Sequence, residues 1–201
     1  MTETAAELES ESETEIQTEM SYYTSLMSLE NEELIDEQAD DSGAMVNGAI
    51  DFKKYITSIK YKTGSDWKDV TEGNIEINGS DTLEFMMNYK LPAYTLSPEN
   101  KTIVYQLPEG LVIKSDEQGK VYSSDNQEVG TYTISSDGKV MITFNDTYVQ
   151  ASVKGQEING YIQFSSLVDE SKTDDAGKKE INFNDSNKVT VVIKDKTITS
   201  E

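Results

Sequence analysis

The side chains able to do chemistry in this 201-residue chain are almost all carboxylates and lysines. There are 38 Asp and Glu and 17 Lys, with no His, Cys or Arg. The chain therefore has no imidazole base, no thiolate nucleophile and no usual zinc ligand set. It also has no guanidinium to clamp a phosphate. We expect a protein that is not an enzyme, binds no metal and needs no cofactor.

The charge balance also bears on the partners of the protein. A formal net charge of −21 repels nucleic acids and anionic lipids, which are bound mainly through positive charge. No run approaches the roughly 20 apolar residues that a membrane-spanning helix needs. We therefore expect no nucleic-acid partner and no membrane insertion.

The acidic residues are concentrated at the start of the chain. Residues 1–52 hold 15 of the 38 acidic residues and no Lys. Alternating Glu, Ser, Thr and Ala cannot bury enough apolar surface to offset the entropy of ordering. Residues 1–48 are therefore predicted to form a disordered acidic tail, and the apolar spacing over 20–37 fits either a short docked helix or a fraying one.

Over residues 49–196 the sequence changes to short alternating runs separated by turn signals, which predicts an antiparallel all-β sandwich. YITSIKY (55–61) is expected to bury Tyr55, Thr57, Ile59 and Tyr61 on one face. Similar runs are DTLEFMMNYKL (81–91), INGYIQFSSLV (158–168) and NKVTVVIK (187–194). No strong helix is expected inside this domain, and residues 197–201 are interpreted as a linker to a following domain.

The most regular stretch is VGTYTISSDGKVMITFND (129–146). Tyr132 and Ile134 alternate with threonines, and Val140, Ile142 and Phe144 alternate with more polar residues after the turn. Asp-Gly in the SSDG turn tolerates positive φ, and Asn-Asp ends the second strand through side-chain bonds to the backbone. The stretch predicts a β-hairpin with one buried face.

Five segments in this order resemble the N-terminal immunoglobulin-like adhesin domain of Gram-positive surface proteins, meaning the collagen-adhesin family and pilin-like surface proteins of Firmicutes. The segments are AIDFKKYITSIKY, GSDTLEFMMNYKLP, TIVYQLPEGLVI, EVGTYTISSDGKVMITFNDTYV and INGYIQFSSLV. The resemblance implies a variant immunoglobulin sandwich displayed outside the cell on the cell wall. It implies a module that binds a host protein, matrix protein or glycan, alongside further domains of the same surface protein. No residue is assigned to ligand binding, and a structural stalk or spacer domain is the alternative function.

Many domains of that family carry a spontaneous Lys–Asn isopeptide bond, which requires a buried neutral Lys and a buried protonated acid beside the Asn amide. Because alternate residues of a strand lie on the same face, Lys53 is expected on the inward face with Ile59, Asp81 with Leu83, and Asn187 with Val189. The resemblance therefore makes Lys53, Asp81 and Asn187 the candidates for such a bond, against the alternative that they are ordinary polar residues at strand ends.

The remaining candidate sites are weaker. VDESKTDDAG (168–177) lacks the spacing of a calcium loop and is interpreted as a solvated loop. Trp67 is either a core residue or an exposed platform for a ligand. Several tyrosines near loops fit either recognition or plain β-propensity: Tyr22, Tyr23, Tyr94 and Tyr148.

Overall fold

A computed structural model describes residues 45, 46 and 49–194, which all belong to the compact unit Gly43–Glu201. Several predictions concern residues outside the described part: the acidic tail, the helix considered at 20–37, Tyr22, Tyr23 and the linker at 197–201. In the described part the chain is mostly β-strand, in two sheets, so the predicted all-β sandwich-like fold is confirmed.

The larger sheet contains eleven strands in the spatial order β1-β2-β7-β11-β10-β9-β12-β6-β3-β4, with β8 beside β12. Its strands are β1 (Met45–Val46), β2 (Ala49–Asp51), β3 (Ile56–Lys62), β4 (Lys68–Asp69), β6 (Leu83–Leu91), β7 (Thr102–Gln106), β8 (Leu111–Val112), β9 (Glu117–Ser123), β10 (Glu128–Ile134), β11 (Lys139–Phe144) and β12 (Ile158–Val168). β9 and β12 pair only at Gly160–Ser123 and Tyr161–Tyr122, so this short junction joins the two halves of the sheet.

The smaller sheet contains β13 (Lys178–Asn184), β14 (Asn187–Ile193) and β5 (Ile75–Ile77), with β14 in the middle. β14 pairs with β5 in parallel, and β2 pairs with β7 in parallel. The expectation of a purely antiparallel sandwich is therefore wrong at two pairs. In both, the chain makes a long excursion before it returns to the sheet, as parallel pairing requires.

Aromatic rings from both sheets meet in the core. Phe85 of β6 contacts Phe183 of β13 at 5.3 Å between centroids, and Tyr89 of β6 contacts Phe144 of β11 at 5.9 Å. Phe52, which follows β2, lies edge-on to Tyr89 at 5.2 Å and is fully buried. The core therefore joins the smaller sheet to both halves of the larger one.

The predicted hairpin at 129–146 is confirmed. β10 and β11 pair antiparallel from Gly130–Phe144 to Ile134–Val140, and the five residues predicted to be apolar and inward are at most 7% exposed. Gly138 has φ +82° in the turn. Asn145 ends the second strand as predicted, because its side chain accepts a hydrogen bond from the N–H of Tyr148 at 2.9 Å.

That same bond begins an element the sequence did not predict, the helix α1 (Asp146–Val153). Short 3₁₀ helices at Lys53–Tyr55, Val70–Glu72 and Glu170–Lys172 were also not predicted. In the described part of the chain, no helix is long and apolar enough to cross a membrane.

Candidate functional site

The predicted core face of the first strand is correct at Ile59, and Tyr55 and Tyr61 pack partly buried against the core, but it is wrong at Thr57 and in its extension to Lys53. β3 has a register irregularity between Ile56 and Ser58, so the two buried residues of the strand are Ile56 and Ile59, three positions apart, while Thr57 is exposed. The chain before β3 is a 3₁₀ helix, not an extension of the strand. Lys53 is therefore exposed, and Phe52 takes the core position beside it.

Asp81 lies far from the other two candidates. It follows β5, whose Ile77 pairs with Ile193 at the end of β14, while Asn187 begins β14. Six residues of strand at about 3.3 Å each separate the two ends of β14 by about 20 Å. The Asp81 carboxylate accepts hydrogen bonds from the backbone and side chain of Asn78 at 2.9 and 3.3 Å, so it closes its own turn.

Asn187 is buried, with 3% exposure, as parity predicts. Its side-chain amide donates to Oδ1 of Asn184 at 2.9 Å. Nδ2 of Asn184 in turn donates to the backbone carbonyls of Lys53 and Ile56 at 3.2 and 3.0 Å. The structure therefore joins Lys53 to Asn187 through the Lys53 backbone and Asn184, and not through the Lys53 amine.

Isopeptide chemistry also needs a buried acid and a buried amine. Within the described residues no Lys, Asp or Glu is buried; the buried polar residues are Ser123, Ser152, Ser166 and Asn187. The structure thus brings together no set of the kind that the hypothesis requires.

Lys53 instead lies on the wall of a surface groove that the sequence did not reveal. Two adjoining cavities, of about 450 and 460 Å³, share Asp51 and Lys53. We call the first the Lys53 groove, lined by Asp51, Lys53, Val104, Tyr105, Gln106, Pro108, Lys139, Asn182 and Phe183. The second cavity continues it along the β13–β14 turn past Asn184 and Ser186.

The fold explains why the groove is open at this place. β2 pairs with β7 only at Ile103 and Val104, because after Asp51 the chain turns inward at Phe52. Gln106 of β7 therefore lies beyond the end of β2. Across the gap is β13, an edge strand of the smaller sheet. The groove thus lies between the two sheets, where neither sheet covers the other's edge.

The floor and the rim of the groove differ in chemistry. Val104, Tyr105 and Phe183 are buried apolar residues at its base, whereas Lys53, Gln106 and Asn182 are exposed at its rim. The hydroxyl of Tyr105 donates to the backbone carbonyl of Phe183 at 2.9 Å and so fixes the distance between the two sheets. Burial, and secondly the Asp51 carboxylate, raise the pKa of Tyr105, which keeps this donor protonated.

The other sequence candidates lie elsewhere. Trp67 is half-buried, with the amine of Lys62 4.9 Å from its ring centroid. In the 168–177 segment, Asp169 accepts from the backbone of Ser171 at 3.0 Å and Asp174 from that of Ala176 at 3.0 Å, so both carboxylates serve their own turns. The described residues contain no cluster of three metal-ligating side chains.

Tyr94 and Tyr148, both named from the sequence, have different environments. Tyr148 is half-buried, and its hydroxyl donates to the carbonyl of Asn159 at 2.7 Å, which is a structural role. Tyr94 is 74% exposed and has φ +65°, an uncommon conformation for an aromatic residue. Its N–H donates to the carbonyl of Ser152 at 3.0 Å, which holds the loop on α1.

No family model matches the chain, and no curated protein matches it. Among solved structures, the chain is similar to the serine-rich repeat protein Srr2 from Streptococcus agalactiae, with 16% identity and a TM-score of 0.41. The match covers 71% of this chain and 46% of that one, so it spans less than half of the Srr2 chain.

Proposed function

We propose that this chain is an extracellular, adhesin-type binding module, that it is not an enzyme, and that it holds its ligand noncovalently in the Lys53 groove. The groove itself is the observation that carries the proposal. The order of the five segments that resemble surface adhesin domains supports the same assignment. A host protein, matrix protein or glycan is the class of ligand that this resemblance implies.

The composition of the groove suits binding. Binding sites typically combine an apolar floor, which supplies affinity, with a few polar groups that orient the ligand. Val104, Tyr105 and Phe183 provide such a floor, and Lys53, Lys139 and Asp51 provide two positive charges and one negative charge. All three floor residues lie on β-strands, so little conformational freedom is lost when a ligand binds.

The experiment compares two double variants of equal charge. Lys53→Glu with Lys139→Glu reverses both lysines of the groove, and Lys68→Glu with Lys114→Glu reverses two exposed lysines that do not line it. Each variant and the native chain are tested by biolayer interferometry against purified matrix proteins, beginning with collagen, and against immobilised glycans. Circular dichroism spectra verify that all three proteins are folded.

We expect a ligand that the native chain and the Lys68/Lys114 variant bind equally, and that the Lys53/Lys139 variant binds at least tenfold more weakly. Equal binding by both variants would place the ligand elsewhere on the surface. The absence of binding to every protein and glycan in the panel would remove the adhesin assignment.

A further inference from the structure

We propose that Tyr122 and Tyr161 are a site of oxidative modification, at which a peroxide joins the two rings as a dityrosine across the junction of β9 and β12. The inference goes beyond the proposed function, because it concerns another part of the surface and does not depend on the Lys53 groove. The contact between the rings, the pairing of their strands and their exposure carry it. The chain has no Cys, so an oxidant has no disulfide to form.

The two rings are in contact before any oxidation. Their centroids lie 5.7 Å apart and their planes are inclined by 27°, which is a stacked arrangement. Of the ring contacts among the described residues, this is the one that joins two tyrosines. Tyr89 and Tyr105, in contrast, are buried and have phenylalanines as their ring neighbours. Since two phenols couple only where their ring carbons meet, the fold selects Tyr122 and Tyr161.

The backbone keeps the two tyrosines side by side. Tyr161 of β12 lies opposite Tyr122 of β9 in an antiparallel pair, in which the Cβ atoms of opposite residues are about 4.5–5.5 Å apart. The strands also approach closely at the next position, where a Cβ at Gly160 would lie 2.1 Å from the carbonyl oxygen of Tyr122. The hydroxyl of Tyr161 donates to Oδ1 of Asn126 at 2.7 Å, which restrains one of the two rings.

Both rings are accessible to an oxidant in solution. Tyr122 and Tyr161 are partly exposed, and each lies between two buried neighbours on its strand. Because successive side chains of a strand point to opposite faces, both phenols lie on the outer face of the sheet. Contact and exposure are therefore combined at this pair.

The reaction balances with hydrogen peroxide, activated by a haem peroxidase, as the oxidant. The peroxide takes one electron and the phenolic proton from each tyrosine and is reduced to two molecules of water. The two phenoxyl radicals couple through the ring carbons next to the oxygen-bearing carbons. Each coupled carbon then loses its proton and each oxygen regains one, so both phenols are restored. One C–C bond replaces two C–H bonds, and the chain loses two hydrogen atoms.

The position of the link determines its effect on stability. β9 and β12 pair only at Gly160–Ser123 and Tyr161–Tyr122, and this short junction joins the two halves of the larger sheet. The link closes a loop between residues that are 39 positions apart in the sequence. Like a disulfide, it restricts the unfolded chain over that loop. We expect oxidation to raise the urea midpoint of unfolding by about 1–2 M.

The test treats the folded full chain with hydrogen peroxide and a haem peroxidase, and locates the links by tandem mass spectrometry after digestion. Equal amounts of ¹⁴N and ¹⁵N chains are mixed, so the isotope pattern separates links within one chain from links between two. We expect dityrosine fluorescence, a mass lower by two hydrogen atoms, and a Tyr122–Tyr161 link within one chain as the main product. The absence of that link would overturn the proposal.

Variants that keep the ring and remove one phenol separate contact from accessibility. Tyr161→Phe and Tyr122→Phe should each abolish the link and the rise in the urea midpoint. Tyr94→Phe is the control, because Tyr94 is 74% exposed and lies outside the pair, and it should leave both unchanged. Circular dichroism spectra before oxidation verify that the variants are folded.

Two further outcomes would contradict the proposal. Links formed mainly by Tyr94, or links of mixed isotope composition, would show that exposure and collision select the tyrosines, and not the contact in the fold. A Tyr122–Tyr161 link that leaves the urea midpoint unchanged would overturn the stabilising role assigned to it at the junction.

Discussion

Replacing Asn184 by alanine tests the connection between the Lys53 segment and the β13–β14 hairpin. Its side chain makes five hydrogen bonds: it donates to the carbonyls of Lys53 and Ile56, and it accepts from the N–H of Ser186 and from both the N–H and the side-chain amide of Asn187. One side chain therefore joins the start of the first long strand to the turn between the last two. Alanine removes all five bonds at once.

The size of the effect follows from which bonds are shielded from water. The bonds to Lys53 and Ser186 are exposed, so water can replace Asn184 there. The three bonds to Ile56 and Asn187 are partly buried, and Asn187 itself is only 3% exposed. At a net value of about 1 kcal/mol for each shielded bond, we expect Asn184→Ala to lower the free energy of unfolding by about 3 kcal/mol. That is a large part of the 5–15 kcal/mol typical of a domain.

The measurement is urea denaturation followed by tryptophan fluorescence and circular dichroism. The matched control is Asn182→Ala, since Asn182 is on the same strand, is exposed and makes no side-chain hydrogen bond to the described residues. We expect the control to change the free energy of unfolding by less than about 0.5 kcal/mol. A loss for Asn184→Ala within 0.5 kcal/mol of the control would refute the assigned role of Asn184.

Three further predictions follow from the core and from the lysines. The intact mass of the folded chain should equal the sequence mass, because the described residues bring no buried amine beside a buried acid; a mass lower by one ammonia would contradict this. The hydroxyl of Tyr89 is buried without a described partner, and burial raises the pKa of both Tyr89 and Tyr105. The free energy of unfolding should therefore stay constant up to about pH 10 and fall at higher pH, where only the tyrosines of the unfolded chain ionise. Tyr89→Phe should make that fall smaller and should raise the free energy of unfolding by about 1 kcal/mol at pH 7, because it removes a buried hydroxyl that has no partner among the described residues. Urea midpoints measured from pH 7 to 11 check both expectations. A Cβ at Gly160 would lie 2.1 Å from the carbonyl oxygen of Tyr122. Gly160→Ala should therefore lower the free energy of unfolding by about 2 kcal/mol in the same assay. An unchanged urea midpoint would show that the junction of β9 and β12 adapts to the added methyl group.

The elements predicted correctly are those in which local patterns agree with burial. β12 spans Ile158–Val168 as the INGYIQFSSLV run predicts, and β6 buries Leu83, Phe85 and Met87 on one face. In these strands one face packs on the core over the whole length, so the period of two in the sequence is also the period of burial. The same agreement explains why the hairpin at 129–146 was predicted with its turn and its inward face.

The expected alternation of inward and outward residues is wrong where the backbone changes its conformation within a run. The irregularity near Ile56 shifts the inward face of β3, and the 3₁₀ helix before it ends the alternation altogether. YITSIKY contains no Gly or Pro to signal either change. The prediction that Lys53 lies in the core continues the two-residue alternation back through this segment, and it is therefore wrong. Asn187, on a regular strand, was placed correctly.

The sequence by itself determined the class of fold and the chemistry available to the protein. Residue types set which reactions are accessible, and alternating apolar residues bury one face of each strand wherever the strands pair. Only the tertiary structure decided that Lys53 and Lys139, 86 positions apart in the sequence, line one groove over Val104, Tyr105 and Phe183. That groove exists because β2 ends early on β7 and an edge strand of the other sheet lies opposite. Strand order and sheet packing arise from contacts between distant segments, and no local pattern in the sequence encodes them.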